Sequence, residues 1–221
     1  MTVELQMLVD RDKPSPWMDQ AIASALSAEM AVMTVSHIPG DRLAASRARG
    51  FLVSTAEYVG FLDSDDWLEP AVAKEAHELL KADPIAVGVF TQESAVDQHG
   101  NKIATPEQPI SWCAIKQLVE TRRGRHLCIF RRAALEPYLE EIAKADQPEL
   151  YLIRGLLSEV GPWLCLPKVG YYHREHSDNA ALKTIQENVN KHIVRLTPIL
   201  TKASNGNHPM SEIIKPYPRA A

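Results

Sequence analysis

Four short apolar runs, Val3–Val9, Met30–Val35, Tyr58–Leu62 and Ile85–Thr91, are each separated from the next by a segment with helical patterning. Runs this short, bounded by turn formers such as Pro14, Pro16, Pro39 and Gly40, read as buried strands. The segments between them read as helices over about Trp17–Ala28, Asp41–Ser54 and Glu69–Ala82. In the second helix Ala44, Ala48, Phe51 and Leu52 share one face, and Asp41 is placed to cap its start. Pro70 falls in the first turn of the third, where a missing N–H costs nothing. This alternation predicts an α/β fold, an open and mainly parallel sheet covered by helices.

The second half is less regular. Asp97–Lys102 predicts a turn between short strands, Leu127–Phe130 a buried strand, and Ala133–Ala143 and Glu149–Glu159 two helices. Two more strands, Trp163–Leu166 and Val169–His173, are expected on either side of Pro167-Lys168. A late helix over Asn179–Leu196 and a mobile tail from Lys202 complete the reading. With 221 residues, 45% of them hydrophobic, the chain suits one main domain over 1–177 and a C-terminal helix and tail over 178–221.

The formal net charge of −4 supplies no strong positive field to draw the chain onto a polyanion, so bulk charge does not point to nucleic acid. Three cysteines, Cys113, Cys128 and Cys165, form no C-x-x-C pair and read as reduced, buried thiols of a cytoplasmic protein. The apolar stretch Ala21–Val35 is interrupted by Ser24, Ser27 and Glu29, so no membrane span is expected, and the N-terminus lacks the pattern of a signal peptide. There is no Walker loop, G-x-G-x-x-G or G-x-S-x-G, the signals of triphosphatases, dinucleotide enzymes and serine hydrolases.

The residues with chemistry to offer are Asp63-Ser64-Asp65-Asp66, directly after the third strand. In an open α/β sheet, ligands bind outside the carboxyl ends of the strands, which is where this cluster falls. Three carboxylates so close repel one another, and a hard divalent cation that also takes substrate phosphates relieves that repulsion. The alternative is a helix start, with Asp65 or Asp66 capping the helix at Glu69.

The surroundings favour the cation. The run Ala45-Ser46-Arg47-Ala48-Arg49-Gly50, then Ala56-Glu57-Tyr58-Val59-Gly60-Phe61-Leu62-Asp63-Ser64-Asp65-Asp66, resembles the donor-binding half of family 2 glycosyltransferases. The family pattern there is an Ala-Arg-Asn-x-Gly helix followed by Gly-Glu-Tyr-x-x-Phe-Leu-Asp-x-Asp-Asp. A second match, Gly161 to His176, is similar to the family's closing strands and their Tyr-Tyr-x-Arg-x-His ending. With the weaker Leu127–Arg132, the resemblance covers roughly residues 3–177.

It implies a GT-A fold and a nucleotide-sugar donor with manganese or magnesium. Asp63 matches the carboxylate near the donor ribose, and Asp65 the metal ligand of the Asp-x-Asp motif, with Asp63 also within reach of the metal. Arg47 matches the arginine near the donor nucleotide, and His176 is a further metal or diphosphate contact, whereas His173 is the weaker candidate. Arg174 offers a guanidinium fork suited to diphosphate. Inverting members use a carboxylate before a helix as general base, and the matching stretch here offers Asp146 and Glu149. Each of these two also fits a plain helix start.

Two departures bear on the donor. The Asp-Asp-Gly-Ser stretch that helps hold the nucleobase is replaced by Val35-Ser36-His37-Ile38-Pro39-Gly40, and Ala48 stands where asparagine is usual. Asp10 or Asp12, after the first strand, could supply a substitute contact. Gly50, costly inside a helix, signals close packing or substrate approach. The basic run Arg122-Arg123-Gly124-Arg125-His126, with Arg131 and Arg132, would suit a phosphate-rich acceptor, a modified DNA base among them, or is a solvated loop. The expected activity is metal-dependent transfer of a sugar, with inversion, to a hydroxyl on a glycan, a lipid-linked glycan or a DNA base. The rival is an inactive GT-A-shaped binding or assembly subunit.

Overall fold

The computed structural model describes residues 2–38, 40–104, 126–145, 149–176 and 191–199. In chain order these form β1 (Val3–Val9), α1 (Met18–Ser27), β2 (Ala31–Ser36), α2 (Leu43–Val53), β3 (Tyr58–Phe61) and β4 (Trp67–Leu68). There follow α3 (Pro70–Ala82), β5 (Gly88–Val96), β6 (Lys102–Ala104), β7 (Cys128–Arg131), α4 (Arg132–Leu135), a 3₁₀ turn (Glu136–Tyr138) and α5 (Leu139–Ala143). Then come α6 (Glu149–Leu157) and β8 (Trp163–Arg174), and residues 191–199 form α7.

The strands make one sheet in the order β2-β1-β3-β7-β5-β8-β4, with β6 paired to β5. β1 is parallel to both β2 and β3, because α1 and α2 carry the chain back between these strands. β7, however, runs against both β3 and β5. The mainly parallel sheet expected from the alternation is therefore a mixed one, since apolar patterning shows that a strand exists but not its direction.

The two faces of the sheet have separate cores. On one, α1 and α3 cover Leu5, Met7, Tyr58, Leu62, Val89 and Ile129. On the other, α2, α5 and α6 cover Val59, Phe61, Phe90, Phe130 and Trp163. α6 is buried along its length, from Leu150 through Arg154 to Leu157. At Gly50 a Cβ would lie 2.7 Å from Gln6 Oε1, so this glycine lets α2 settle onto β1. Cys128 and Cys165 are buried, whereas Cys113 lies outside the described residues.

Other expectations change in detail. Asp41 does not cap α2; Arg42 occupies the cap position and Asp41 pairs with Arg49 at 2.7 Å. The helix expected over Ala133–Ala143 is broken by the turn around Pro137, whose ring cannot continue a regular helix. Of the helix expected over Asn179–Leu196, residues 191–196 are described and helical.

The two strands expected around Pro167 are one strand, β8, which runs parallel to β5 through a bulge. Cys165 pairs with Phe90 and Tyr171 with Glu93, so β8 advances six residues while β5 advances three. Pro167, lacking an N–H, is accommodated in that irregular stretch. Cys165 packs on the α2 face and Tyr171 on the α1 face. Among the described residues no helix is long and apolar enough to cross a membrane.

Candidate active site

The carboxyl ends of β1, β2 and β3 form one lip of the sheet, and the acidic cluster begins two residues past β3, at Asp63. A short strand the sequence did not suggest, β4, follows at once and pairs with Tyr171 and Tyr172 of β8. The cluster is thus a tight loop between two strands. Neither Asp65 nor Asp66 caps α3, whose cap position is Glu69, without a side-chain bond.

The three carboxylates have different surroundings. Asp66 is buried: Oδ1 accepts the N–H of Arg174 at 2.7 Å, and Oδ2 accepts the Tyr171 hydroxyl at 2.8 Å. His173 Nδ1 lies 3.3 Å from the same Oδ2. Burial raises the Asp66 carboxyl, and the hydrogen bond to Asp66 raises the His173 imidazole. Asp66 is therefore a wall of the site.

Asp63 and Asp65 keep contact with solvent. Asp63 Oδ1 accepts from Arg47 Nη2 at 2.7 Å, and the guanidinium lies 4.2 Å from the centre of the Phe61 ring. Burial raises the Asp63 carboxyl, but the Arg47 charge and hydrogen bond, together with the nearby His126 and His173, outweigh it and hold the group at about 2, with 35% of the side chain's surface open. Arg47 itself is buried on α2. Asp65 Oδ2 lies 2.8 Å from His176 Nε2, with both side chains partly open. His176 leans on Trp17, their ring centres 5.1 Å apart.

Among the described residues no group of three His, Cys, Asp or Glu side chains converges as a ready cation cage. What the loop presents is a pair, Asp65 and His176, with Asp63 in the same four-residue turn. One carboxylate oxygen beside one imidazole nitrogen fits a hard divalent cation that draws its other ligands from substrate phosphate and water.

Arg174, offered by the sequence as a diphosphate contact, is built into the scaffold instead. Its Nε donates to the Asp65 carbonyl at 2.9 Å, Nη1 to the Gln98 carbonyl at 2.9 Å, and Nη2 to Gln20 Oε1 at 2.7 Å. The guanidinium lies between Trp17 and Trp67, 4.7 Å from each ring centre. This residue therefore fixes the backbone of the loop. Asp10 lies at the end of β1, where Oδ1 accepts the N–H of Asp12 at 2.9 Å and of Lys13 at 3.3 Å, which makes it first a turn former. His37, in the stretch that replaces the nucleobase motif, places Nδ1 3.4 Å from Ser46 Oγ.

Glu149 opens α6, and Asp146 lies outside the described residues, as does the basic run 122–125. The other two arginines of that cluster are structural: Arg131 donates to the carbonyls of Ala86, Leu80 and Asp83, and Arg132 to that of Ala56. Sequence reasoning missed His126 and Tyr171. The His126 ring stacks on Tyr171 at 4.6 Å, burial pushes it down to about 3, and its Nδ1 has no hydrogen-bond partner among the described residues. Both stand in segments the sequence singled out, the basic run and the Tyr-Tyr-x-Arg-x-His ending, but neither signal gives them a role, because what gives them interest is contact with a loop far away in the chain.

The fold is shared with solved structures. The chain superposes on residues 1–349 of Staphylococcus aureus TarS with a TM-score of 0.62 at 14% identity, covering 94% of this chain and 74% of that one. The TarS crystal in complex with UDP-GlcNAc gives 0.65 at 11% identity, covering 91% and 71%. The family model "Glycosyl transferase family 2" matches residues 19–142, more than half of the chain, and the protein belongs to that family. Relatives include an Escherichia coli chondroitin synthase, 30% identical over 132 residues, and the chondroitin synthase of Pasteurella multocida, 30% identical over 175 residues. These alignments cover 58% and 76% of this chain but only 18% and 17% of those proteins.

Proposed function

We propose that this chain transfers a glycosyl group from a UDP-sugar to a hydroxyl of a growing glycan, with manganese or magnesium at Asp65. The observation that carries the reading is the division within the acidic loop: Asp66 is locked into the wall while Asp63 and Asp65 stay open at the lip of the sheet. Asp63, held ionised by Arg47, is placed to accept ribose hydroxyls of the donor. Asp65 and His176 would hold the cation, which supplies charge stabilisation for the leaving diphosphate when bound.

Glu149 or Asp146 takes the proton of the acceptor hydroxyl as the new bond forms, a role that contributes roughly 10²–10⁴-fold to rate. Attack from the face opposite the leaving group gives inversion. The donor class follows from TarS, crystallised with UDP and with UDP-GlcNAc, and the acceptor class from relatives named chondroitin and hyaluronan synthases.

The test is a thermal-shift screen of nucleotide sugars with and without manganese, because a ligand of the native state raises its stability. A metal-dependent shift with UDP-sugars, followed by transfer to glycan acceptors, is expected; no shift with any nucleotide sugar would sink the reading. A second reading, an inactive binding or assembly subunit, is favoured by the loss of the nucleobase carboxylates before Asp41. Donor binding without hydrolysis or transfer to any acceptor would select it.

A further inference from the structure

We propose that Tyr171 is a positioning residue for the donor and its cation, its hydroxyl setting the directions in which Asp63 and Asp65 point. This rests on the reading of the acidic loop as the donor site. One oxygen atom touches both ends of the loop: the hydroxyl donates to Asp66 Oδ2 at 2.8 Å and accepts the N–H of Asp63 at 3.1 Å. The N–H of Asp66 donates to the Asp63 carbonyl at 3.2 Å and closes the turn. With its two ends tied together, the loop holds Ser64 and Asp65 at its crest.

The need for such a tie follows from charge. Three carboxylates within four residues repel one another, and without the Tyr171 hydroxyl Asp66 Oδ2 is left with the longer 3.3 Å contact to His173, which frees that side chain to turn outward to water. The turn would then open, and Asp63 and Asp65 would lose their relative placement. Tyr171 suits the task because β8 anchors it from the opposite side of the sheet. Its ring is fully buried and stacked on His126, with an angle of 23° between the planes.

Tyr171→Phe keeps the ring, the stack and the burial and removes one oxygen, so it separates the tie from the packing. The experiment is calorimetric titration of UDP-GlcNAc with and without manganese, together with steady-state kinetics and melting curves. Wild-type protein is expected to bind with manganese, and the Phe variant at least about tenfold more weakly, the loss of one hydrogen bond to a charged group. The deficit should be larger with metal than without, and KM should rise more than kcat falls.

Tyr58→Phe is the control: it removes a buried phenol that accepts from Arg131 at 3.1 Å, and should lower the melting temperature while leaving donor affinity unchanged. A Tyr171→Phe variant that binds within about twofold of wild type overturns the inference. Absence of binding by the wild-type chain sinks the donor-site reading itself, a separate outcome. Should Tyr171→Phe fail to fold, Asp66→Asn probes the same bond from its other end. An amide donating to the phenol leaves the phenol proton without its acceptor, and the same two affinity outcomes decide.

Discussion

Two arginines at opposite ends of the sheet are bound in nearly the same way, yet only one of them lies beside a site. At the strand-entry end, Arg131 donates to three main-chain carbonyls and to the Tyr58 hydroxyl and lies 5.2 Å from the centre of that ring. At the other end, Arg174 donates to the carbonyls of Asp65 and Gln98 and is held between two tryptophans. Both guanidiniums are scaffold. The difference lies in what each leaves open around it: beside Arg174 stand two half-open carboxylates and an imidazole, whereas beside Arg131 the nearby carboxylate, Glu57, is only a loose pair at 3.7 Å. Function is read from the groups that the scaffold does not absorb.

That contrast can be broken most sharply at Asp65. Asp65→Asn should abolish manganese-dependent donor binding and lower turnover by at least about a hundredfold, with the melting curve little changed because the side chain is partly open. Titration of manganese into the variant with UDP-sugar present checks this, and unchanged metal-dependent affinity would exclude Asp65 as a ligand.

The next effect belongs to the base. Glu149→Gln should reduce turnover by about a hundredfold with donor binding retained, and Asp146→Asn should be milder, because Glu149 opens a helix whose following residues are buried. The reverse order would assign the base to Asp146; loss of turnover in neither would remove this segment from the chemistry.

Exchanging the two arginines for methionine sharpens the comparison itself. Each variant should lose about 2–3 kcal/mol of stability, from carbonyls left without donors. Only Arg174→Met should also weaken donor binding. Equal effects on donor affinity would mean that the two ends are coupled.

The smallest effect is the share of the pH dependence that His77 adds at the entry end, beside that of the more strongly lowered His126. Burial lowers His77, which packs edge-on to Tyr58 at 4.9 Å. The unfolded chain takes up a proton near pH 6.5, so stability should fall as pH drops below about 6.5 and level off below the folded value. His77→Asn should flatten that part of the melting-temperature profile while leaving donor binding unaltered.

The sequence carried much of the fold because β1, β2, β3 and β5 and the first three helices are written in local periodicity, which residues such as Leu5, Val59 and Ala76 obey. It pointed to Asp63 and Asp65 because a motif marks them. It could not separate Asp66 from its neighbours, for three aspartates look alike until a strand more than a hundred positions later supplies Tyr171 and the N–H of Arg174. The role offered for Arg174 failed for the same reason: a guanidinium fork suits carbonyls and tryptophan faces as well as it suits diphosphate.

The bulge in β8 gives that strand something like a reading frame. Cys165 and Tyr171 are six residues apart, and an unbroken pleat, with its period of two, would turn them to the same face. They lie on opposite faces because the stretch around Pro167 breaks the alternation. Loss or gain of one residue between Leu166 and Gly170 would restore the wrong phase and carry Tyr171 away from the acidic loop, with Tyr172 taking its position after a loss and Gly170 after a gain. Substitutions in this stretch should therefore be tolerated far better than single-residue changes of length. Over evolutionary time, descendants of this chain should keep a constant count of residues between Cys165 and Tyr171 even where the residues themselves drift.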